Sequence, residues 1–72
     1  MNQQLQDYAR DYLKGSVSIM PEYNQRVFKL MYGRNDGKRS VDDAVAMDVS
    51  AVVDEIPADR LDWAMQQVQR TA

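Results

Sequence analysis

Hydrophobic residues recur every three or four positions along most of the chain, a pattern that predicts amphipathic helices joined by short connections. The clearest helix start is near the C-terminus, where Pro57 suits a first helical turn because its missing N–H costs no hydrogen bond there. Asp59 and Asp62 follow near the positive end of the helix dipole. We expect this last helix to run to about residue 70, with an apolar stripe formed by Leu61, Ala64, Met65 and Val68.

Trp63 does not belong to that stripe. At about 100° per residue it points to nearly the opposite side of the helix. Two interpretations follow from this position: the indole is an anchor for another molecule, as aromatic residues at interfaces often are, or it folds over residues 16–20 as a second small core. A homodimer formed through Trp63 is one version of the anchor hypothesis.

The N-terminal part of the chain predicts a first helix over residues 3–13. Its apolar face consists of Leu5, Tyr8, Ala9 and Tyr12, with Leu13 at the edge. Lys14 and Gly15 are expected to end it, the lysine at the negative end of the dipole and the glycine free to take a positive φ. Residues 16–20 are then a connector. Their alternating apolar positions also fit a short strand, although a lone strand would have no partner.

A second helix is predicted from Pro21 to Tyr32, just before Gly33. Its main apolar stripe consists of Tyr23, Val27, Leu30 and Met31, with Phe28 on the shoulder. This is the most hydrophobic predicted helix, and we expect it at the centre of the core. Residues 34–39 are polar and include an Asp-Gly pair, which predicts an exposed loop.

A third helical segment is predicted from residue 41 to residue 55. Ser40 followed by Asp43 fits a capped helix start, and Pro57 must end the segment. Five residues stay within a narrow arc if the helix is continuous: Val41, Val45, Val49, Val52 and Ile56. Alternatively the helix breaks at residues 47–50, with Asp48 or Ser50 capping a short second piece.

These elements predict an all-α fold, with residues 1–72 forming one domain, a compact bundle of about four short helices. A chain of this length buries only about 60% of the surface that its unfolded form exposes. Because it contains no cysteine and no histidine, self-association is the remaining common way to supplement such a core. No apolar run reaches the length of a signal or membrane segment, so we expect a cytoplasmic protein without membrane attachment.

The residue types needed for catalysis are largely missing. Nucleophilic catalysis usually relies on cysteine or on a hydroxyl activated by histidine, and zinc sites need cysteine or histidine ligands. The paired carboxylates do not have calcium-loop spacing, and the three glycines are scattered rather than gathered in a phosphate-binding loop. We therefore expect no enzymatic activity, no metal site and no cofactor.

Charge is distributed unevenly along the chain. Residues 1–39 carry seven basic and four acidic residues, whereas residues 40–72 carry two basic and seven acidic ones. Such a field can orient a protein partner. The candidate partner-binding residues are therefore Trp63 and its acidic neighbours Asp54, Glu55, Asp59 and Asp62. Each acidic residue also fits a simpler role as a solubilising surface group.

A nucleic-acid interface is the competing interpretation of the basic half. A basic patch with a stacking ring would be formed by Arg34, Lys38, Arg39 and Tyr32. The chain as a whole has a pI of about 4.8, and neither of the last two predicted helices is a basic recognition helix. A solvated charged loop fits the same residues.

Two sequence blocks carry a resemblance. Phe-Lys-Leu-Met-Tyr at residues 28–32 and Leu-Asp-Trp-Ala at residues 61–64 resemble blocks of small uncharacterised proteins of tailed bacteriophages and prophages. The resemblance covers most of residues 20–70 and implies a phage origin and a location in the bacterial cytoplasm. It implies no particular activity.

The function predicted from these features is that of a phage accessory protein that binds a protein partner and modulates or inhibits a host factor. A virion structural or assembly protein, or a homo-oligomer, is the first alternative. A nucleic-acid-binding protein is the second.

Overall fold

The computed structural model describes residues 2–71, so the predicted domain extends one residue beyond this range at each end. Every regular element in this range is a helix, as the sequence predicted. Five helices are present rather than about four: α1 (Gln3–Ser18), α2 (Glu22–Tyr32), α3 (Val41–Ala46), α4 (Val49–Glu55) and α5 (Ala58–Thr71). The radius of gyration is 11.4 Å, which matches a folded chain of this length at about 11 Å.

The third predicted helix is broken, which confirms the alternative with an interruption at residues 47–50. Met47 and Asp48 both have extended backbone and separate α3 from α4. Ser40 caps α3 as predicted, because its side chain accepts a hydrogen bond from the Asp43 N–H at 3.1 Å. Asp48 occupies the corresponding position of α4, but its side chain makes no capping hydrogen bond.

The predicted end of the first helix at Gly15 is wrong. The helix continues through Gly15 to Ser18, and the residues predicted as a connector are helical as far as residue 18. The physical reason is Val17, which extends the row of Ala9 and Leu13 at four-residue spacing and is fully buried. Burying a valine contributes about 1.5–3 kcal/mol, more than the roughly 1 kcal/mol that a helical glycine costs.

The predicted orientation of α2 is also wrong. Phe28, expected on the shoulder of the helix, is its one buried residue, whereas Tyr23, Val27 and Met31 of the predicted stripe are exposed. The helix has two apolar sides, and the side that carries Phe28 faces the core. Of the stripe that was expected to lie at the centre of the core, Leu30 is partly buried and the other three residues are exposed.

The core lies between α1, α4 and α5. Most of its buried residues are alanine or valine, with Leu13, Ile56 and Leu61 as the largest fully buried side chains. The predicted stripe of α5 is confirmed: Leu61, Ala64 and Val68 are buried, and Met65 packs against them. Helix α1 packs against α2, α4 and α5, and α2 packs against α3 and α4. Within residues 2–71, α2 and α5 have no direct backbone packing.

Side chains from neighbouring elements cap the C-termini of the two short helices. Arg10 of α1 donates from Nη1 to the carbonyl of Val53, in the last turn of α4, at 2.6 Å. Lys29 of α2 donates from Nζ to the carbonyl of Val45, in the last turn of α3, at 3.2 Å. The last carbonyls of a helix have no partner within it and form the negative end of its dipole, so a cation there is stabilising. Helices of six and seven residues are too short to be stable alone and depend on such contacts.

The C-termini of α1 and α2 are satisfied in the same way. Gln25 of α2 donates to the carbonyl of Ser18 at 3.1 Å and to that of Met20 at 2.9 Å. Arg39 donates to the carbonyl of Gly33, the residue that ends α2. Several polar residues of the first half of the chain are therefore internal helix caps.

Candidate functional site: an open groove between α2 and α5

An apolar groove lies where α2 and α5 do not pack against each other. Its volume is about 210 Å³. Buried Phe28 and Val68 contribute apolar surface from the two helices. The full lining consists of Met20, Tyr23, Asn24, Val27, Phe28, Met31, Tyr32, Gln67 and Val68. None of these nine residues is charged, so the groove suits an uncharged, apolar occupant.

Large apolar side chains stand exposed around this groove. On α2, Tyr23 is 74% exposed, Met31 48% and Val27 36%. On α5, Trp63 is 55% exposed. We call these four residues, together with the groove, the α2–α5 face. Single exposed apolar residues are ordinary on a protein surface, but several on one contiguous face are typical of interaction sites.

Trp63 lies at one end of this face. It lines an open hollow with Met31, Tyr32 and Arg60, and Met31 and Tyr32 also line the groove. The ring belongs neither to the buried core nor to the partly buried residues packed against it. The prediction that Trp63 points away from the stripe of its own helix is confirmed by its exposure beside buried Leu61 and Ala64.

A side-chain bridge spans the groove between the two helices. The Tyr32 hydroxyl donates to Gln67 Oε1 at 3.3 Å, and the Tyr32 ring contacts the Phe28 ring with centroids 4.9 Å apart. Burial raises the pKa of the Tyr32 phenol above its usual value of 10.0, opposed in part by the positive charge of Arg60. The phenol is therefore protonated at neutral pH, and its O–H group remains a hydrogen-bond donor. This hydrogen bond links the two walls of the groove.

The acidic candidate residues do not form one cluster. Asp54 pairs with Lys14 at 2.8 Å, and Glu55 accepts two hydrogen bonds from Arg39 at 2.8 and 3.0 Å. Asp62 is exposed and accepts a hydrogen bond from Gln66 at 3.4 Å. Asp59 is exposed one helical turn before Trp63, on the same side of α5. Asp59 is thus the acidic candidate best placed to accompany Trp63 at an interface.

The basic candidate residues are partly engaged within the chain. Arg39 binds Glu55 and the Gly33 carbonyl, and the Arg34 Nε donates to the Arg39 carbonyl at 3.3 Å. The hydrogen bond from Arg39 lowers the pKa of Glu55 below its usual value of 4.5, and the same bond raises that of Arg39. Tyr32, the proposed stacking ring, is half-buried against Phe28. Lys38 is exposed on the loop.

The loop that carries these basic residues has an uncommon backbone. Asn35, Asp36 and Gly37 have consecutive positive φ values of 51°, 57° and 84°. Asparagine, aspartate and glycine are the residues that tolerate this conformation best. The Asp-Gly turn predicted from the sequence thus extends over three residues. Asp36 also lies 3.9 Å from Arg60, which links the loop loosely to α5.

Sequence reasoning missed three residues of the α2–α5 face, namely Tyr23, Val27 and Met31, because it assigned them to the core. The sequence did contain an indication that these residues are exposed, because α2 has a second apolar side. Phe28 and Tyr32 are four residues apart and form their own apolar edge. A helix with two apolar sides at the surface of a small domain leaves one of them uncovered.

The described part of the chain shows no group of three or more acidic side chains that could hold a metal ion. None of its helices is long and apolar enough to cross a membrane. Comparison of the chain with protein-family models, with curated proteins and with solved structures found no match.

Proposed function

We propose that the protein is a non-enzymatic interaction module that binds another protein through the α2–α5 face. The observation that carries the proposal is the placement of exposed Tyr23, Val27 and Met31 along an uncharged apolar groove, with Trp63 exposed on the adjoining hollow. Binding energy at interfaces is concentrated in a few aromatic and apolar anchors near the centre of the contact. Trp63 and Tyr23 are the anchors in this proposal.

The finer part of the proposal follows the resemblance to phage proteins. In it, the chain acts in the cytoplasm of a bacterial host as an accessory factor and modulates or inhibits a host protein. Inhibition requires no catalytic residues, since covering a functional surface of the host protein is sufficient. Asp59, one turn from Trp63, would orient the partner by its charge.

Nucleic-acid binding receives less support from the same residues. Arg39 is held by Glu55 and Gly33, so the basic group is smaller than the sequence suggests. The charge balance of −2 gives no overall attraction to phosphate. A protein that binds the phosphate backbone of a nucleic acid, by contrast, does not need an uncharged apolar groove.

Site-specific photocrosslinking tests the proposal. A photoreactive amino acid would replace Tyr23 or Trp63 in cells of a bacterial host, and the matched control would carry it at Tyr8, which is 57% exposed on α1 and does not line the groove. We expect a discrete crosslinked protein from positions 23 and 63 and none from position 8. Equal crosslinking from all three positions, or from position 8 alone, would contradict the proposal. A crosslinked virion protein would favour the assembly alternative over host modulation.

A further inference from the structure

We infer that a second copy of this chain covers the α2–α5 face in the absence of another partner, in a two-fold dimer where each Trp63 enters the groove of the other copy. This inference rests on the proposed function, because it requires the face to be a protein-binding surface. The inference adds that a second copy of the chain is one of the molecules that bind this face. A heterologous partner would then have to displace that copy.

The arrangement of the face favours self-association because a projecting ring lies beside a cavity. Trp63 borders a hollow that shares Met31 and Tyr32 with the groove. In a two-fold interface, residue i of one copy contacts residue j of the other, and j contacts i. An axis passing near Met31 therefore carries each indole towards the opposite groove. The two copies form a closed dimer, so further copies do not add to it as a filament.

The size of the face fits a dimer. From their exposed fractions, Tyr23, Val27, Met31 and Trp63 present on the order of 500 Å² per copy, given that a large aromatic residue buries about 150–250 Å². Two such faces remove about 1,000 Å² of apolar surface, which with a polar rim reaches the roughly 1,200 Å² of the smaller specific interfaces. The dimer should therefore be reversible and dependent on concentration.

Charge favours a second copy over a strongly charged partner. The nine groove residues are neutral, and Arg60 is the single charged residue that lines the hollow beside Trp63. Asp59, one turn before Trp63, is the acidic residue beside this contact, and the described residues that line the two faces bring no block of like charges together. The ion pairs of Asp54 and Glu55 neutralise two acidic residues within each copy, so repulsion between copies is reduced.

Sedimentation equilibrium over a range of concentrations tests the dimer. We expect the full chain to dimerise reversibly, and Trp63→Gln or Tyr23→Gln to raise the dissociation constant at least tenfold. Tyr8→Gln is the matched control and should leave it within twofold. Circular dichroism would verify that each variant is folded. A wild-type chain that stays monomeric at every concentration, or a dimer weakened equally by Tyr8→Gln, would overturn the inference.

Disulfide crosslinking locates the contact independently. Because the chain contains no cysteine, Met31→Cys introduces a single thiol near the proposed axis, and Val41→Cys places one on an exposed site outside the groove. Mild oxidation of Met31→Cys should give covalent dimers, and Val41→Cys should give markedly fewer. Similar yields from both would contradict the inference.

Different results would refute the dimer and the proposed protein-binding function. A chain that is monomeric but still crosslinks to another protein in cells from positions 23 and 63 would refute the dimer and retain the proposed function. A chain that neither dimerises nor crosslinks through these positions would refute both.

Discussion

The distribution of aromatic residues is the feature of this chain that most needs an explanation. Of the residues whose side chains are described, Phe28 is the one aromatic that is buried, while Tyr8, Tyr23 and Trp63 are more than half exposed. Aromatic side chains are the largest source of burial energy available to a small domain. The proposed protein-binding role of the α2–α5 face would account for the exposure of Tyr23 and Trp63.

Glu55 provides a prediction about pH. Its pKa is lowered in the folded state because Arg39 donates hydrogen bonds to its ionised form. The pair therefore stabilises the fold above the ordinary pKa of 4.5, and this contribution is lost as the pH falls through the lowered folded-state pKa. We expect Glu55→Gln to be less stable than the wild type at pH 7 and equally stable at strongly acidic pH, as measured by urea unfolding. A difference that persists unchanged in acid would contradict the role of this ion pair.

Alanine substitutions of the two helix-associated glycines, Gly15 and Gly33, should have opposite effects on stability. Gly15 lies within α1, and an added methyl group would meet nothing within 4 Å. Gly15→Ala should stabilise the protein by about 0.5–1 kcal/mol. Gly33 is buried, and its added methyl group would lie 2.5 Å from the Lys29 carbonyl oxygen and 3.4 Å from a Val52 methyl. Gly33→Ala should destabilise it by about 1–3 kcal/mol.

Thermal unfolding of both variants measures these effects. A loss of stability in Gly15→Ala would mean that the first helix ends at that glycine, as the sequence pattern suggested, and would contradict the continuous α1.

At the scale of elements, the fold joins short helices whose ends are satisfied by other helices. Arg10 caps α4 and Lys29 caps α3. Two basic side chains of the first part of the chain are therefore engaged as helix caps within the fold. These contacts explain how a six-residue and a seven-residue helix are held in place in a domain with a small core.

The α1–α4 cap gives a prediction at this scale. Arg10→Met should lower the free energy of unfolding by about 1–3 kcal/mol, because the hydrogen bond from a charged donor to the partly buried Val53 carbonyl is lost. Arg26→Met is the matched control, since Arg26 is exposed on α2 and should change stability by less than about 0.5 kcal/mol. Chemical denaturation of both variants provides the measurement. Equal effects of the two substitutions would show that the cap contributes nothing specific.

The elements themselves were largely predictable from the sequence, because their signals are local. Pro21, Pro57 and Ser40 mark helix starts, and the spacing of Leu61, Ala64 and Val68 identifies the buried side of α5. The end of α1 and the orientation of α2 were not predictable in this way. Both depend on which apolar side finds a partner in three dimensions, and a helix with two apolar sides does not reveal that locally.

The same limit applies to the candidate site. Trp63 could be singled out because it lies off an otherwise regular stripe. Tyr23, Val27 and Met31 have ideal core spacing. The second apolar side of α2 indicates that one side stays uncovered, but the missing packing between α2 and α5 shows which side it is. The acidic candidates were grouped by sequence alone, and the fold pairs Asp54 and Glu55 with cations of the first half of the chain.

Across the whole molecule, the four exposed residues of the α2–α5 face are distinct from the residues of the buried core. The core of α1, α4 and α5 is built mainly from alanine and valine, with Phe28 of α2 packed into it, whereas Tyr23, Val27, Met31 and Trp63 are exposed. Substitution of a face residue should therefore impair association without unfolding the monomer.

Comparison of two substitutions checks this separation. Leu61→Ala should cost about 2–5 kcal/mol, because Leu61 is fully buried and its loss leaves a cavity. Met31→Gln, at a half-exposed position of the face, should cost less than about 1 kcal/mol in dilute protein. Urea unfolding at low concentration measures both, and a large loss of stability in Met31→Gln would place that side chain in the core of the monomer.

The indole of Trp63 is open in the single chain, and in the proposed interaction it becomes covered when the protein associates. Fluorescence quenching by acrylamide measures this directly, because Trp63 is the only tryptophan. In dilute monomer we predict efficient quenching and emission at long wavelength, and in the associated protein a blue shift with strong protection. A ring that is already protected in dilute monomer, or one that stays equally accessible after association, would contradict the proposed role of Trp63 as an interface residue.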